Sequence, residues 1–241
     1  MKGSNFSSGF QNVRSEAQMN VGLRNYMVYI YQYMSAALGL SGIVAFLFAQ
    51  SPQMMALLHS PVGFIIMLAP LGISLMFGFK IQSMELKTAQ MLFWAFAALM
   101  GASLSSIFLV YTSESICRAF FISAGTFLAM SLYGYTTNKD LTSMGSFMMM
   151  GLFGIIIASL VNIFLKSTGL AFVISILSVF IFIGLVAYDT QKIKSMYYNL
   201  ENSSMDVSMA KKIAIMGALS LYMNFINLFL AILRFVGDRK E

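Results

Sequence analysis

The chain has 241 residues, of which 59% are hydrophobic and only 10% charged, with a mean hydropathy of +0.78. A soluble domain carries roughly 25% charged residues, so a globular domain is excluded. The formal net charge of +6 does not point to nucleic acid, because the lysines and arginines sit singly or in pairs beside apolar segments instead of gathering in one patch.

The first 25 residues are polar, rich in Ser, Asn and Gln, and read as a cytoplasmic N-terminal tail. They lack the short apolar core and small-residue cleavage site of a secretory signal, so the first span is expected to stay in the mature protein. Seven apolar segments follow: Tyr26 to Ala49, Val62 to Phe79, Ala89 to Tyr111, Ile116 to Tyr135, Ser146 to Leu165, Leu170 to Tyr188 and Ile213 to Val236. Each is close to the twenty or so residues that cross a hydrocarbon core about 30 Å thick. The blocks are continuously apolar, whereas a barrel strand alternates. The expectation is an all-α membrane protein with a seven-helix transmembrane domain over residues 26–237 and a short tail at 238–241.

Within these segments Pro70 predicts a kink in the second span. Gly151, Gly154 and Ala158 predict a close-packing face on the fifth. The run from Met148 to Met150 reads as lipid-facing or core filler. With the N-terminus inside, ten lysines and arginines fall on the inner side and five on the outer. That bias orients the N-terminus to the cytoplasm.

Familiar enzyme chemistries lack their residues. His59 is the only histidine and lies in a connection, which leaves no base for a serine protease and no paired histidines for zinc. Cys117 is the only cysteine, so no intramolecular disulfide forms. No phosphate loop or dinucleotide fingerprint occurs. The chain is expected not to be an enzyme and to need no cofactor.

Ionisable residues inside spans are costly and therefore functional suspects. Of nine acids, eight fall in tails or connections. The ninth, Asp189 in "GLVAYDTQKIK", closes the sixth span. Two readings are open for it: an interfacial carboxylate paired with Lys192, or a buried carboxylate lining a polar path. Its partners on that path would be Asn224 and Asn227, which share a face of the seventh helix, with Asn162 as a third amide at mid-membrane depth. Interhelical hydrogen bonding is the competing reading for each amide.

"LVAYDTQKIK" followed by "GALSLYMNFINLFLAILRFVG" resembles the closing signature of the Bax inhibitor-1 family of membrane proteins. "YGYTTNKDLTSMGSFMMMGLFGIIIASLVNIF" and "FWAFAALMGASLSSIFLVY" are similar to its bacterial branch. The resemblance implies seven helices, six surrounding a central seventh. It also implies a pH-modulated calcium or cation leak, or alternatively a non-conducting regulator that binds a membrane-bound ATP-dependent quality-control protease. For a bacterial protein it implies the inner membrane.

In the family's leak scheme two aspartates on the last two helices form the pH-sensing gate. The first matches Asp189, a tentative calcium ligand; the second falls on Asn224. Two carboxylates in contact titrate as a unit over two steps, whereas an Asp/Asn pair has one titrating member, so a weakened pH switch is expected. The amide oxygen stays a usable calcium ligand. The family's arginine partner for the first aspartate is missing from the second span, and Lys80 is the nearest cation to serve as a lock, without an arginine's bidentate fork.

Overall fold

The computed structural model describes residues 4–58, 60–81, 83–202 and 207–240; His59 lies outside them. Among the described residues the chain forms nine helices: α1 (Ser4–Gln50), α2 (Pro52–Leu58), α3 (Pro61–Lys80), α4 (Leu86–Leu104), α5 (Ile107–Val110), α6 (Ser113–Thr136), α7 (Thr142–Leu165), α8 (Thr168–Asn202) and α9 (Val207–Val236). Seven stretches are long and apolar enough to cross a membrane, with α4 and α5 sharing one of them. The protein is an all-helical, multi-pass membrane protein.

The sequence marks the ends of these helices with local chemistry. Pro61 opens α3, where its missing N–H is no loss. Thr112 caps α6 by accepting the Ser115 N–H at 3.3 Å. Lys166 closes α7 in the left-handed region at φ 50°, its N–H returning to the Asn162 carbonyl at 2.8 Å. The third span breaks between α4 and α5 because Ser105 turns its hydroxyl onto the Ala102 carbonyl at 2.6 Å, which competes with the regular backbone ladder. α3 runs through Pro70 without interruption.

Three features add to the sequence reading. The polar N-terminal stretch continues the first helix back to Ser4. The helix of the sixth span runs on past its apolar segment to Asn202, because the polar residues after Asp189 include neither Gly nor Pro to stop a helix. The fifth span's small face is only partly used: a Cβ at Gly151 would touch Ile181, while Gly154 faces open space. The tight approach between α7 and α8 is made by Gly145 against Tyr188 and Gly184 against Met148.

Burial decides which helix holds the bundle together. In the most apolar stretch of α9, 67% of residues are buried, against 6% in α7. α9 packs on α8, α1, α6 and α4, while α3 packs on α4 and α7 on α8. Tyr222, Leu221, Leu228 and Leu233 of α9 are almost fully enclosed. Phe96 meets Tyr222 edge-on at 5.5 Å and Phe127 meets Phe225 at 5.6 Å, a geometry that adds to area burial. α8 and α6 approach tightly at Gly134, where a Cβ would run into the Ala187 backbone.

The chain's last residues are tied down. Tyr111 and Arg239 form an antiparallel bridge, flanked by bonds from Thr112 N to the Asp238 carbonyl at 3.2 Å and from Lys240 N to the Val110 carbonyl at 2.9 Å. Arg118 on α6 pairs with Asp238 at 3.0 Å, the ion pair found among the described residues. Such an exposed pair contributes little alone, but here it adds to a backbone clasp.

Candidate functional site

Asp189 sits in α8 where the helix leaves its most apolar run, and it is half-buried against α9. Its Oδ2 accepts two hydrogen bonds from α9: Ser220 Oγ at 2.5 Å and Asn224 Nδ2 at 2.8 Å. Ser220 and Asn224 are four residues apart, one turn of α9, so both project onto the same strip. Both donors are neutral. Among the described residues Oδ1 takes no hydrogen bond, which leaves one carboxylate oxygen for water or a cation.

A cleft of about 60 Å³ opens beside the carboxylate, lined by Lys192, Ile193, Met196, Met216, Gly217 and Ser220 among others. This is large enough for water. Calcium prefers six to eight oxygens, and the described residues hold no group of three or more His, Cys, Asp or Glu side chains. Asp189, with the Asn224 amide oxygen and the Ser220 hydroxyl, supplies at most a partial shell. That donor set falls short of the shell of a resident calcium ion.

The structure separates the other residues singled out from the sequence. Lys192 lines the same cleft as Asp189 but forms no ion pair with it; it is exposed, with Nζ 5.9 Å from the centroid of the Tyr188 ring. Asp189 faces α9, while the next residue, Thr190, faces α6 and bonds Ser131 at 3.2 Å. Asn227 lies one turn beyond Asn224, half-buried, and makes no side-chain hydrogen bond among the described residues. Asn162 lies in the last turn of α7, where Oδ1 accepts the Ser167 N–H at 3.1 Å. From there to Asp189 is roughly 30 Å along α8 at 1.5 Å per residue.

Lys80 is exposed at the end of α3, a helix that packs on α4, and it forms no ion pair with Asp189. The cations drawn inward at this end are others. Lys212 is buried and donates to the Met84 carbonyl at 3.0 Å. Lys194 donates to the Tyr135 carbonyl at 2.9 Å and lies over the Tyr135 ring.

Sequence reasoning missed Ser220, although its spacing of four from Asn224 was the available signal. It also missed two buried hydroxyl chains. Ser41 of α1 donates to the Ala97 carbonyl at 2.6 Å and accepts from Tyr222 at 2.7 Å, tying α1, α4 and α9. Tyr31 bonds Ser131, which in turn meets Thr190, tying α1, α6 and α8. Neither chain has a motif, because serine and tyrosine in a span announce nothing about their partners.

These features define a class: a seven-span helical membrane protein with a single carboxylate held between its last two helices by neutral donors. Residues 23–241 match the family described as inhibitor of apoptosis-promoting Bax1. The chain is 52% identical over 221 residues to a protein of Rickettsia prowazekii, covering 91% of this chain and 92% of that one. It is 43% identical over 228 residues to the inner membrane protein YbhL of Escherichia coli K12, covering 94% and 97%. A protein of Caulobacter vibrioides is 42% identical over 238 residues, covering 95% and 94%. The chain belongs to the Bax inhibitor-1 family.

Proposed function

We propose that this protein is a calcium-permeable cation leak channel of the inner membrane, its N-terminus cytoplasmic, with Asp189 as gate and transient ion ligand and a weakened response to pH. The observation that carries the reading is the pair of neutral donors on Asp189 Oδ2. A carboxylate bridged to α9 couples ionisation to helix packing: protonation weakens two charge-assisted hydrogen bonds at once. Asn224 cannot itself titrate, so it donates to Asp189 in every state, and only one proton is available to the switch. Localisation to the inner membrane is supported by the relative YbhL, and orientation by the lysine and arginine bias.

Calcium influx into proteoliposomes from pH 6 to 8 tests it. Wild type is expected to conduct with a shallow pH response, and Asp189→Ala to lose the flux. Undiminished flux in Asp189→Ala would sink the channel reading.

A second reading has one structural support. α1 reaches back to Ser4, giving the polar N-terminal stretch the form of a helix suited to docking a partner. In this reading the chain is a non-conducting regulator of a membrane-bound ATP-dependent protease. Removing the residues before Met19 would then abolish co-purification of the protease while leaving proteoliposome flux at the background of empty vesicles.

A further inference from the structure

At the end of the bundle away from Asp189, a pocket of about 470 Å³ lies between the last turn of α7, the first turns of α8 and the end of α9. Its lining includes Asn162, Thr168, Ser175, Tyr111 and two arginines, Arg234 and Arg239. No carboxylate lines it. Among the described residues neither arginine side chain has an acidic partner, since the nearby Asp238 is taken by Arg118.

The arginines are brought together from separate segments. Arg234 projects from the last turn of α9. Arg239 is held by the bridge to Tyr111 and the bonds that clasp the tail to residues 110–112. The start of α8, with its partial positive charge, borders the same space. Two exposed guanidinium groups and a helix N-terminus line one cavity, so an anion there meets complementary charge from all three. The remaining polar groups suit that ligand: Asn162 Oδ1 is engaged by Ser167 N, leaving its NH₂ to donate, and the Thr168 hydroxyl stands at the rim. Guanidinium forks match phosphate oxygens in pairs, and the volume falls within the range of small-ligand pockets.

We infer that this pocket binds a phosphate-bearing anion at the membrane surface, held by Arg234 and Arg239, on the side opposite the Asp189 carboxylate. The phosphate comes from a lipid headgroup or from a soluble phosphate, and the two sources separate by experiment.

Wild type and the Arg234→Gln/Arg239→Gln double variant, purified in dodecylmaltoside, are titrated with inorganic phosphate and separately with phosphatidylglycerol. Melting temperature and lipid retained in native mass spectrometry are the readouts. Wild type is expected to bind at least one probe, and each arginine lost to weaken that binding about tenfold. A response to phosphatidylglycerol alone assigns the headgroup; a response to phosphate assigns the soluble anion. Arg24→Gln/Lys87→Gln, at the other end of the bundle, removes the same two charges and keeps the wild-type response. No wild-type response to either probe, or equal responses of wild type and double variant, overturns the proposal.

Discussion

Asn224 donates its amide to Asp189 across the α8–α9 interface at 2.8 Å, so the position facing the carboxylate carries a permanent hydrogen-bond donor that never changes charge. Replacing it with a second acid creates two carboxylates in contact, which cannot both ionise cheaply and share a proton. Asn224→Asp is expected to steepen the pH dependence of calcium influx between pH 6 and 8. An influx curve that superimposes on wild type would show that position 224 does not set the response.

Ser220→Ala removes the shorter of the two bonds to Asp189 while leaving the Asn224 bond in place. Side-chain hydrogen bonds in membrane proteins contribute about 0.6 kcal/mol on average and up to about 1.7 kcal/mol; a charged acceptor places this one toward the upper end. Unfolding in mixed detergent micelles is expected to report a loss of that size near neutral pH, shrinking as the carboxylate is protonated. A loss independent of pH would assign Ser220 to packing alone.

The Ser41–Tyr222 pair gives an asymmetric expectation. Tyr222→Phe leaves Ser41 its bond to the Ala97 carbonyl and is expected to cost about 1 kcal/mol. Ser41→Ala strands a fully enclosed tyrosine hydroxyl, for which the penalty is about 1–3 kcal/mol. Equal losses in the two variants would mean that Tyr222 finds another acceptor.

Much of this was legible in the sequence, and the reasons differ by level. Seven spans follow from apolar block length, because a bilayer imposes its thickness on any helix that crosses it. Asp189 stood out because an acid in an apolar block is rare, and Asn224 because it falls on the family position of a second acid. The end of α8 at Asn202 is not legible from hydropathy, which reports where lipid ends and not where a helix ends. The partner of Asn162 is not legible for the converse reason: apolar block length does not show that its side chain closes the α7–α8 turn. Lys80 is the cation nearest the second span, where the resemblance implies an arginine, but among the described residues it forms no ion pair.

Two glycines of α6 separate propensity from packing. Gly125 faces open space, whereas a Cβ at Gly134 would collide with the Ala187 backbone. Gly125→Ala is expected to be neutral or to stabilise by up to about 1 kcal/mol through helix propensity. Gly134→Ala must push α6 off α8 and is expected to lower the melting temperature and the yield of folded protein. Identical behaviour of the two would mean that α6 and α8 do not meet at Gly134.

Outside the membrane, Asp140 caps the α6–α7 corner. Its Oδ1 accepts both the N–H of Thr142 at 2.9 Å and its hydroxyl at 2.6 Å. These bonds, the side-chain one foremost, hold its carboxyl below its ordinary pKa of 3.8. A depressed value in the folded state contributes stability above the ordinary pKa that is lost as pH falls through the folded one. Hydrogen exchange, corrected for intrinsic rate, is therefore expected to show the first-turn amides of α7 losing protection below about pH 4 in wild type. Asp140→Asn should show no such step, and a matching step in that variant would locate the titration elsewhere.

The burial of α9 bears on how the protein is made. Chains emerge from the ribosome in order, at about 5–20 residues per second, and α9 follows the six spans that precede it. Until it arrives, Asp189 lacks both of its donors and α1, α4, α6 and α8 lack the helix they share. Assembly in the bilayer is therefore a waiting problem: early spans must be inserted and shielded before their common core exists. A ribosome stalled before Val207 leaves behind a set of membrane-inserted helices with nothing to close upon, a natural substrate for quality control.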